Sequence, residues 1–197
     1  QMCIRDRDEF TQLCADLQAK IDDGTIDADA VIMNSTKDYA FYRGFVGIFH
    51  TWDTLYWNGT EWAFGPIEDN FREMLKYLKS LYDAGYIDSE FATADTNMCN
   101  EKASTGKALI CPTLWAGSAN SWNTAASDDS GIEWGLAYLP KNETYGTAWK
   151  WGSKLPGKSL NTNMGIFIGA ETENPEYMVA MIDYQYSDEM TTLLNWG

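Results

Sequence analysis

The sequence has few of the residues that most catalytic and metal sites use. It contains one histidine, His50, in 197 residues, and its four cysteines form no C-x-x-C pair. Ligand spacing therefore predicts no zinc site. The sequence also lacks G-x-S-x-G, G-x-x-x-x-G-K-[ST] and G-x-G-x-x-G motifs. Nothing in it predicts a serine hydrolase, a P-loop or a dinucleotide-binding turn, and we expect no metal and no cofactor.

Basic residues are also scarce. The chain has 14 lysines and arginines against 29 acidic residues, a formal net charge of −15. A chain this acidic repels the phosphate backbone of nucleic acids and anionic membrane surfaces. No apolar run reaches membrane-spanning length and no signal peptide is visible. Four cysteines do not suggest a disulfide scaffold in a chain of this length, so buried thiols are expected.

Aromatic residues, by contrast, are abundant: nine Trp, eleven Tyr and eight Phe. Many of them will pack in a core. Aromatic faces also stack on the apolar C–H face of sugar rings, while Asn, Asp and Arg side chains bond the hydroxyl rim. The composition therefore suits carbohydrate binding as well as a large core.

The clearest periodic stretch is residues 70–84. Apolar residues recur there at the three-and-four spacing of one helix face, and Gly85 follows where a left-handed helix end is needed. Asn70 and Glu73 have the spacing of a capping box. This amphipathic helix must be covered by other parts of the chain. Its predicted buried stripe comprises Phe71, Met74, Leu75, Leu78, Leu81 and Tyr82.

Helical and strand patterns alternate along the rest of the chain, which predicts an α/β class. Asn58-Gly59 between two aromatic runs indicates a β-hairpin. A long loop over 141–163 carries Trp149 and Trp151. The other predicted helices cover residues 9–21, 38–50, 96–104 and 174–186, with one more from 187. The piece 113–118 leaves a strand and is predicted to turn into a helix that runs through about 124. The predicted strands cover 30–33, 107–111, 134–139 and 164–170.

Three sequence motifs, which follow one another along the chain, carry a family resemblance. They are called phrases below. They are residues 81–93 (LYDAGYIDSEFAT), residues 101–110 (EKASTGKALI) and residues 174–189 (NPEYMVAMIDYQYSDE). Together with the helix before the first of them, they resemble the family 1 extracellular solute-binding proteins. Members of that family are sugar-capturing, often lipid-anchored subunits of bacterial ABC importers. The phrases are fairly specific for the family and do not specify the ligand.

The resemblance implies a type II periplasmic-binding-protein-like fold, in which two α/β lobes close on a ligand. Residues 8–138 would form most of one lobe, and residues 139–197 a crossing segment and part of the other lobe. Residues 1–7 resemble adapter-derived sequence and are expected to be a non-native leader. The chain is then expected to be an internal piece of a longer protein, and the first half of the second lobe would lie outside it.

The resemblance also implies where a ligand contacts the chain. In open α/β sheets, ligands bind beyond the carboxyl ends of the strands. An aromatic residue after the G-K-A strand and aromatics after the earlier strand would stack on sugar, and an arginine could donate a fork of hydrogen bonds. Trp52 and Trp122 are weaker candidates. The expected ligand-binding residues are Trp115, Tyr42, Tyr39, Arg43, Trp52 and Trp151.

The expected function is that of an extracytoplasmic receptor, a monomer that captures a sugar or oligosaccharide and delivers it to ABC permease subunits in the membrane. No catalysis is expected. One enzyme class stays open, because glycoside hydrolases need only two carboxylates and aromatic subsites. A carbohydrate-binding β-sandwich module is the third alternative, and the predicted helices argue against it.

Overall fold

The computed structural model describes residues 6–38, 40–112, 116–148 and 168–196. It mixes helices with short strands, as the expected α/β class requires. The chain divides into two compact units, Gln1–Pro156 and Gly157–Gly197. The sequence-based division into lobes after residue 138 stays a prediction.

The first unit contains two small sheets. Strands β1 and β4 pair in parallel, with Ala30 opposite Ala108 and Ile32 opposite Ile110. Strands β2 and β3 form the antiparallel hairpin that Asn58-Gly59 predicted, which is confirmed. The strands are β1 (Ala30–Ile32), β2 (Leu55–Trp57), β3 (Trp62–Phe64) and β4 (Ala108–Ile110), and the helices of this unit are α1 (Arg7–Asp22), α2 (Asp69–Asp83), α3 (Thr96–Ser104) and α4 (Ala116–Ala125).

Helix α1 begins two residues before its predicted start. The Asp6 side chain caps it by accepting a hydrogen bond from the Glu9 backbone N–H at 2.9 Å. The Arg7 backbone N–H donates to the Lys141 carbonyl at 3.0 Å. Asp6 and Arg7 therefore take part in the fold, although they belong to the segment 1–7 that the sequence analysis set aside.

Helix α2 confirms the periodic pattern, and most of its predicted stripe is buried. Phe71, Met74, Leu78 and Leu81 are buried. Leu75 and Tyr82 belong to the same predicted stripe but are 45% and 47% exposed. The apolar stripe of α2 is thus wider than the core that it covers.

The predicted capping box of α2 is wrong. The N-cap lies two residues earlier, at Glu68, and has no side-chain capping bond. The Asn70 amide instead donates to the His50 carbonyl at 2.8 Å, and Glu73 accepts from the Tyr145 hydroxyl at 2.9 Å. Both side chains therefore make tertiary hydrogen bonds instead of capping the helix. The predicted helix end is confirmed, because Gly85 has φ +81°.

The predicted helix over residues 38–50 is also wrong. The described residues form a short 3₁₀ helix, Phe41–Gly44, followed by turns through His50. Gly44 and Gly47 weaken helix propensity here. Gly44 also packs tightly against Pro112, the second residue after β4: a Cβ added to it would lie 2.6 Å from the Pro112 carbonyl oxygen. We call residues 41–44 the 3₁₀ turn.

The predicted strand over residues 134–139 is not formed, because its first residue is held elsewhere. The Trp134 backbone N–H donates to the Asn123 side chain at 2.6 Å, and its indole N–H donates to the Ala103 carbonyl at 2.9 Å. These bonds tie the segment to α3 and α4 rather than to a sheet. Leu136 and Tyr138, farther along it, are 74% and 90% exposed.

The main core of the first unit lies between α1, α2, β1 and the segment that follows the 3₁₀ turn. Its aromatic centre is built from Phe45 and Phe49, each 1% exposed, with edge contacts to Phe10 and a tilted contact to Tyr77. A smaller cluster lies against α3 and α4. It comprises Met33, Ala103, Ala108 and Trp122.

The second unit is described from residue 168 and contains α5 (Pro175–Gln185) and α6 (Asp188–Trp196). Both predicted helices are confirmed. Pro175 lies in the first turn of α5, and the Ser187 hydroxyl accepts from the Met190 backbone N–H at 3.2 Å at the start of α6. The strand predicted over 164–170 lies mostly outside the described residues. None of the helices that are described has the length and apolar character needed to cross a bilayer.

Candidate functional site

The carboxyl ends of β1 and β4 meet at one edge, because the two strands are parallel. After β1, the chain runs through Asn34 to the 3₁₀ turn, which packs through Gly44 against Pro112 just beyond β4. Ligand sites of open α/β sheets lie at this kind of edge. The 3₁₀ turn therefore lies close to the carboxyl end of β4, and the ligand site at this edge stays a prediction.

Arg43 of the 3₁₀ turn is held in place by Asp53. Its Nε–H donates to the Asp53 carboxylate, whose side chain is 6% exposed, whereas that of Arg43 is 35% exposed. A buried carboxylate thus fixes a partly exposed guanidinium. A guanidinium has five N–H donors in a planar fork, so the bond through Nε fixes the plane in which the group lies.

Two other expected residues flank this ion pair in the chain. Tyr42 is half-buried and makes an edge contact with Phe71, with ring centroids 5.7 Å apart. Trp52 is half-buried and packs against the main core. Neither ring is sealed in the interior. The structure thus brings Tyr42, Arg43 and Trp52 to one part of the first unit, with Asp53, which sequence reasoning missed.

The remaining expected residues have different outcomes. Tyr39, Trp115 and Trp151 lie outside the described residues, as does Trp149. Trp122 is 2% exposed, which overturns its place as a weaker candidate. Its indole N–H donates to the Asn100 side chain at 2.7 Å, and its ring meets Trp134 edge-on at 4.8 Å. It is a core residue with its one donor satisfied.

A groove of about 430 Å³ opens between the 3₁₀ turn and α2. Tyr42 lines it, and so do residues from α2 and from the segment after it, among them Leu78, Tyr82 and Phe91. Sequence reasoning missed these residues as a site. The available signal was the width of the α2 stripe, which has more apolar residues than one core contact needs. We call this space the α2 groove.

A second groove, of about 600 Å³, lies between β4 and residues 132–140. Its walls include Leu109, Trp134 and Leu136. The exposed segment that was expected to form a strand borders it. We call this space the β4 groove.

A cluster of polar side chains around Glu68 stabilises the segment next to the 3₁₀ turn. The Tyr56 hydroxyl donates to the Glu68 carboxylate at 2.8 Å, and the Thr51 hydroxyl donates to the same group at 3.0 Å. Burial raises the pKa of Tyr56, and the hydrogen bond to Glu68 and its negative charge raise it further. The cluster joins the hairpin to the start of α2 and thereby fixes residues 51–53 beside the 3₁₀ turn.

His50 makes contacts that connect two segments of the chain. It is the non-glycine residue with positive φ, +50°, in the part of the chain that is described. Its ring nitrogen Nε2 lies 2.8 Å from the Thr147 carbonyl oxygen, and its ring lies 5.8 Å from that of Tyr145. These contacts connect the end of the core segment to the loop 141–148.

The best-buried ion pair among the described residues lines neither groove. The Lys102 ammonium is 2.6 Å from the Asp88 carboxylate and 2.8 Å from that of Glu90. Burial lowers the pKa of Lys102, but its hydrogen bonds to Asp88 and Glu90, together with their negative charges, outweigh burial and raise it. This pair ties the segment after α2 to α3. In the described parts of the chain, no three His, Cys, Asp or Glu side chains converge as metal ligands would.

No protein-family model matches this sequence, and no curated protein matches it. The functional argument therefore rests on the residues and the geometry.

Proposed function

We propose that this protein is the solute-binding component of a bacterial ABC importer. It captures a sugar or oligosaccharide between two lobes and delivers it to permease subunits in the membrane. In this proposal the protein acts outside the cytoplasm as a monomer and has the type II periplasmic-binding-protein-like fold. The supporting sequence features are the three ordered phrases that resemble family 1 extracellular solute-binding proteins.

One structural observation carries the proposal furthest. The 3₁₀ turn crosses the carboxyl ends of two parallel strands, with Gly44 against Pro112. Tyr42 and Arg43 belong to this turn, and Trp115 follows β4 by only a few residues. In this proposal, side chains that follow two strand ends meet at the edge at which open α/β sheets bind ligands.

The chemistry expected at this edge is recognition without a covalent step. Arg43, oriented by Asp53, donates hydrogen bonds to sugar hydroxyls. Tyr42 and Trp115 stack on the apolar faces of the sugar rings. A transport receptor must release its solute unchanged, and non-covalent contacts of this kind allow release.

The test is calorimetric titration of the protein with a panel of mono- and oligosaccharides. The proposal predicts saturable binding of at least one sugar, which is recovered intact by chromatography after prolonged incubation. Failure to bind any member of the panel contradicts the receptor function. Cleavage of a bound glycan instead supports the glycoside hydrolase alternative.

A further inference from the structure

The α2 groove has an apolar floor and apolar walls. Phe41 and Leu78, each 8% exposed, form part of its lining where it meets the main core. Leu75 and Tyr82 line it from α2 and are about half exposed. Its volume of about 430 Å³ lies within the range of about 300–1,000 Å³ that is typical of small-molecule sites.

Aromatic rings dominate these walls. Phe91 contacts Phe41, with centroids 5.4 Å apart, and Tyr82, with centroids 5.8 Å apart. Tyr42 also lines the groove. Four aromatic side chains from three separate segments therefore surround one open space. Aromatic side chains contribute large contact areas and preferred edge or offset contacts to a planar ligand ring.

The charged groups that line the α2 groove are both positive. They are Lys37 and Lys79, and among the described residues that line this groove none is acidic. This is unusual in a chain with 29 acidic and 14 basic residues. Lys37 pairs with Asp38 and Lys79 with Asp83, and these carboxylates are 73% and 56% exposed. Exposed pairs of this kind contribute little to stability, so a ligand can replace them at small cost.

We propose that the α2 groove binds an aromatic carboxylate. The planar hydrocarbon part packs among the aromatic side chains, and the carboxylate accepts hydrogen bonds from the ammonium groups of Lys37 and Lys79, which can only donate. This proposal goes beyond the receptor function, because it concerns a mainly apolar groove and a different class of ligand, although Tyr42 lines this groove and is also a proposed sugar contact.

A charge series of naphthalene compounds tests the ligand class. Calorimetry with 2-naphthoate, 2-naphthamide and 2-naphthylmethylamine compares ligands of similar shape and different charge. We expect saturable 1:1 binding in the order carboxylate, amide, amine. In the double variant Lys37→Gln/Lys79→Gln, the affinity for 2-naphthoate should fall about tenfold while that for the amide changes little. Equal binding of all three compounds, or a preference for the amine, overturns the proposal.

A matched pair of surface variants tests the location. Leu75→Glu places a carboxylate in the α2 groove, and Leu136→Glu places one at an exposed position of the β4 groove. Binding of 2-naphthoate should be lost in the first variant and kept in the second, with both showing the far-ultraviolet circular dichroism of the wild type. Retained binding in Leu75→Glu contradicts the site. Sugar titrations of the same variants report on the receptor function separately.

Discussion

Close backbone contacts at single glycines shape the region around the 3₁₀ turn. Gly65 begins a short 3₁₀ helix, Gly65–Ile67, and packs against the backbone of Trp52. A Cβ built on Gly65 would lie 1.8 Å from the Trp52 carbonyl oxygen. The fold therefore has no room for a side chain at this position without moving residues 51–53, which hold Asp53 beside Arg43.

We predict that Gly65→Ala destabilises the protein by about 1–3 kcal/mol, because the added methyl group forces the backbone apart. The matched control is Gly135→Ala, since a Cβ on Gly135 meets nothing within 4 Å. Its effect should stay within about 0.5 kcal/mol. Urea denaturation monitored by circular dichroism measures both. Equal stability of the two variants contradicts this account of Gly65.

Buried titratable groups predict a fall in stability at alkaline pH. Burial raises the pKa of the Cys14 thiol from 9.0 to about 12. Burial likewise raises the pKa of the Tyr77 hydroxyl from 10.0 to about 12. Each group contributes its full stability below its unfolded pKa and loses it as pH rises toward the folded value, because only the unfolded chain then releases the proton.

The expected consequence for Cys14 is a loss of about 1 kcal/mol in the free energy of unfolding between pH 8 and pH 10. Urea denaturation under reducing conditions at the two pH values measures it. In Cys14→Ala this part of the pH dependence should disappear, although the variant is less stable at both values because of the cavity. An identical loss in the variant and the wild type contradicts the assignment to Cys14.

At the scale of elements, the apolar stripe of α2 lies partly in the main core and partly in the α2 groove. Met74 is fully buried in the main core, whereas its neighbour Leu75 is 45% exposed and lines the α2 groove. The two residues are adjacent in one helix and similar in size. Replacing each of them by alanine therefore separates the contribution of core packing to stability from that of the groove wall.

We predict that Met74→Ala lowers the free energy of unfolding by about 2–5 kcal/mol, the cost of a cavity in a packed core. Leu75→Ala should cost less than about 1 kcal/mol, because half of that side chain is already in water and alanine favours a helix. Urea denaturation of the two variants measures the difference. Similar losses in both variants contradict the division of the stripe between core and groove.

Elements with strong local signals were predictable from the sequence. The stripe of α2, the Asn58-Gly59 hairpin, and α1, α3, α5 and α6 all follow from spacing, caps and turn residues. The segment 38–50 was not, because Gly44 and Gly47 compete with an aromatic pattern that looks helical. Residues 134–139 are mostly apolar, as in a strand. The hydrogen bonds of Trp134 to Asn123 and Ala103 fix this segment against α3 and α4 instead of in a sheet.

The candidate site was predictable only in part, for a similar reason. Tyr42 and Arg43 lie in the segment that follows β1, so their position could be read from the local order of elements. Asp53 lies ten residues after its partner Arg43, and Phe91 joins the region from the segment after α2. No local pattern marks such partners, since they are chosen by tertiary packing.

At the scale of the whole molecule, the chain consists of two compact units, and the features argued here lie in Gln1–Pro156. That unit combines an oriented arginine, half-buried aromatics and an apolar groove with a positive rim near one edge of a parallel sheet. Recognition of a solute is the function that these features support together. We propose that aromatic residues beyond β1 and β4 hold a sugar without altering it.

The most direct test compares two tryptophans by calorimetric titration with the sugar that the wild type binds best. Trp115→Ala should weaken binding about 30-fold, equivalent to about 2 kcal/mol, because a central stacking ring is removed. Trp62→Ala, which removes a tryptophan that is 58% exposed on the hairpin, should leave the affinity unchanged. Unchanged affinity in Trp115→Ala, or an equal loss in both variants, would contradict the account.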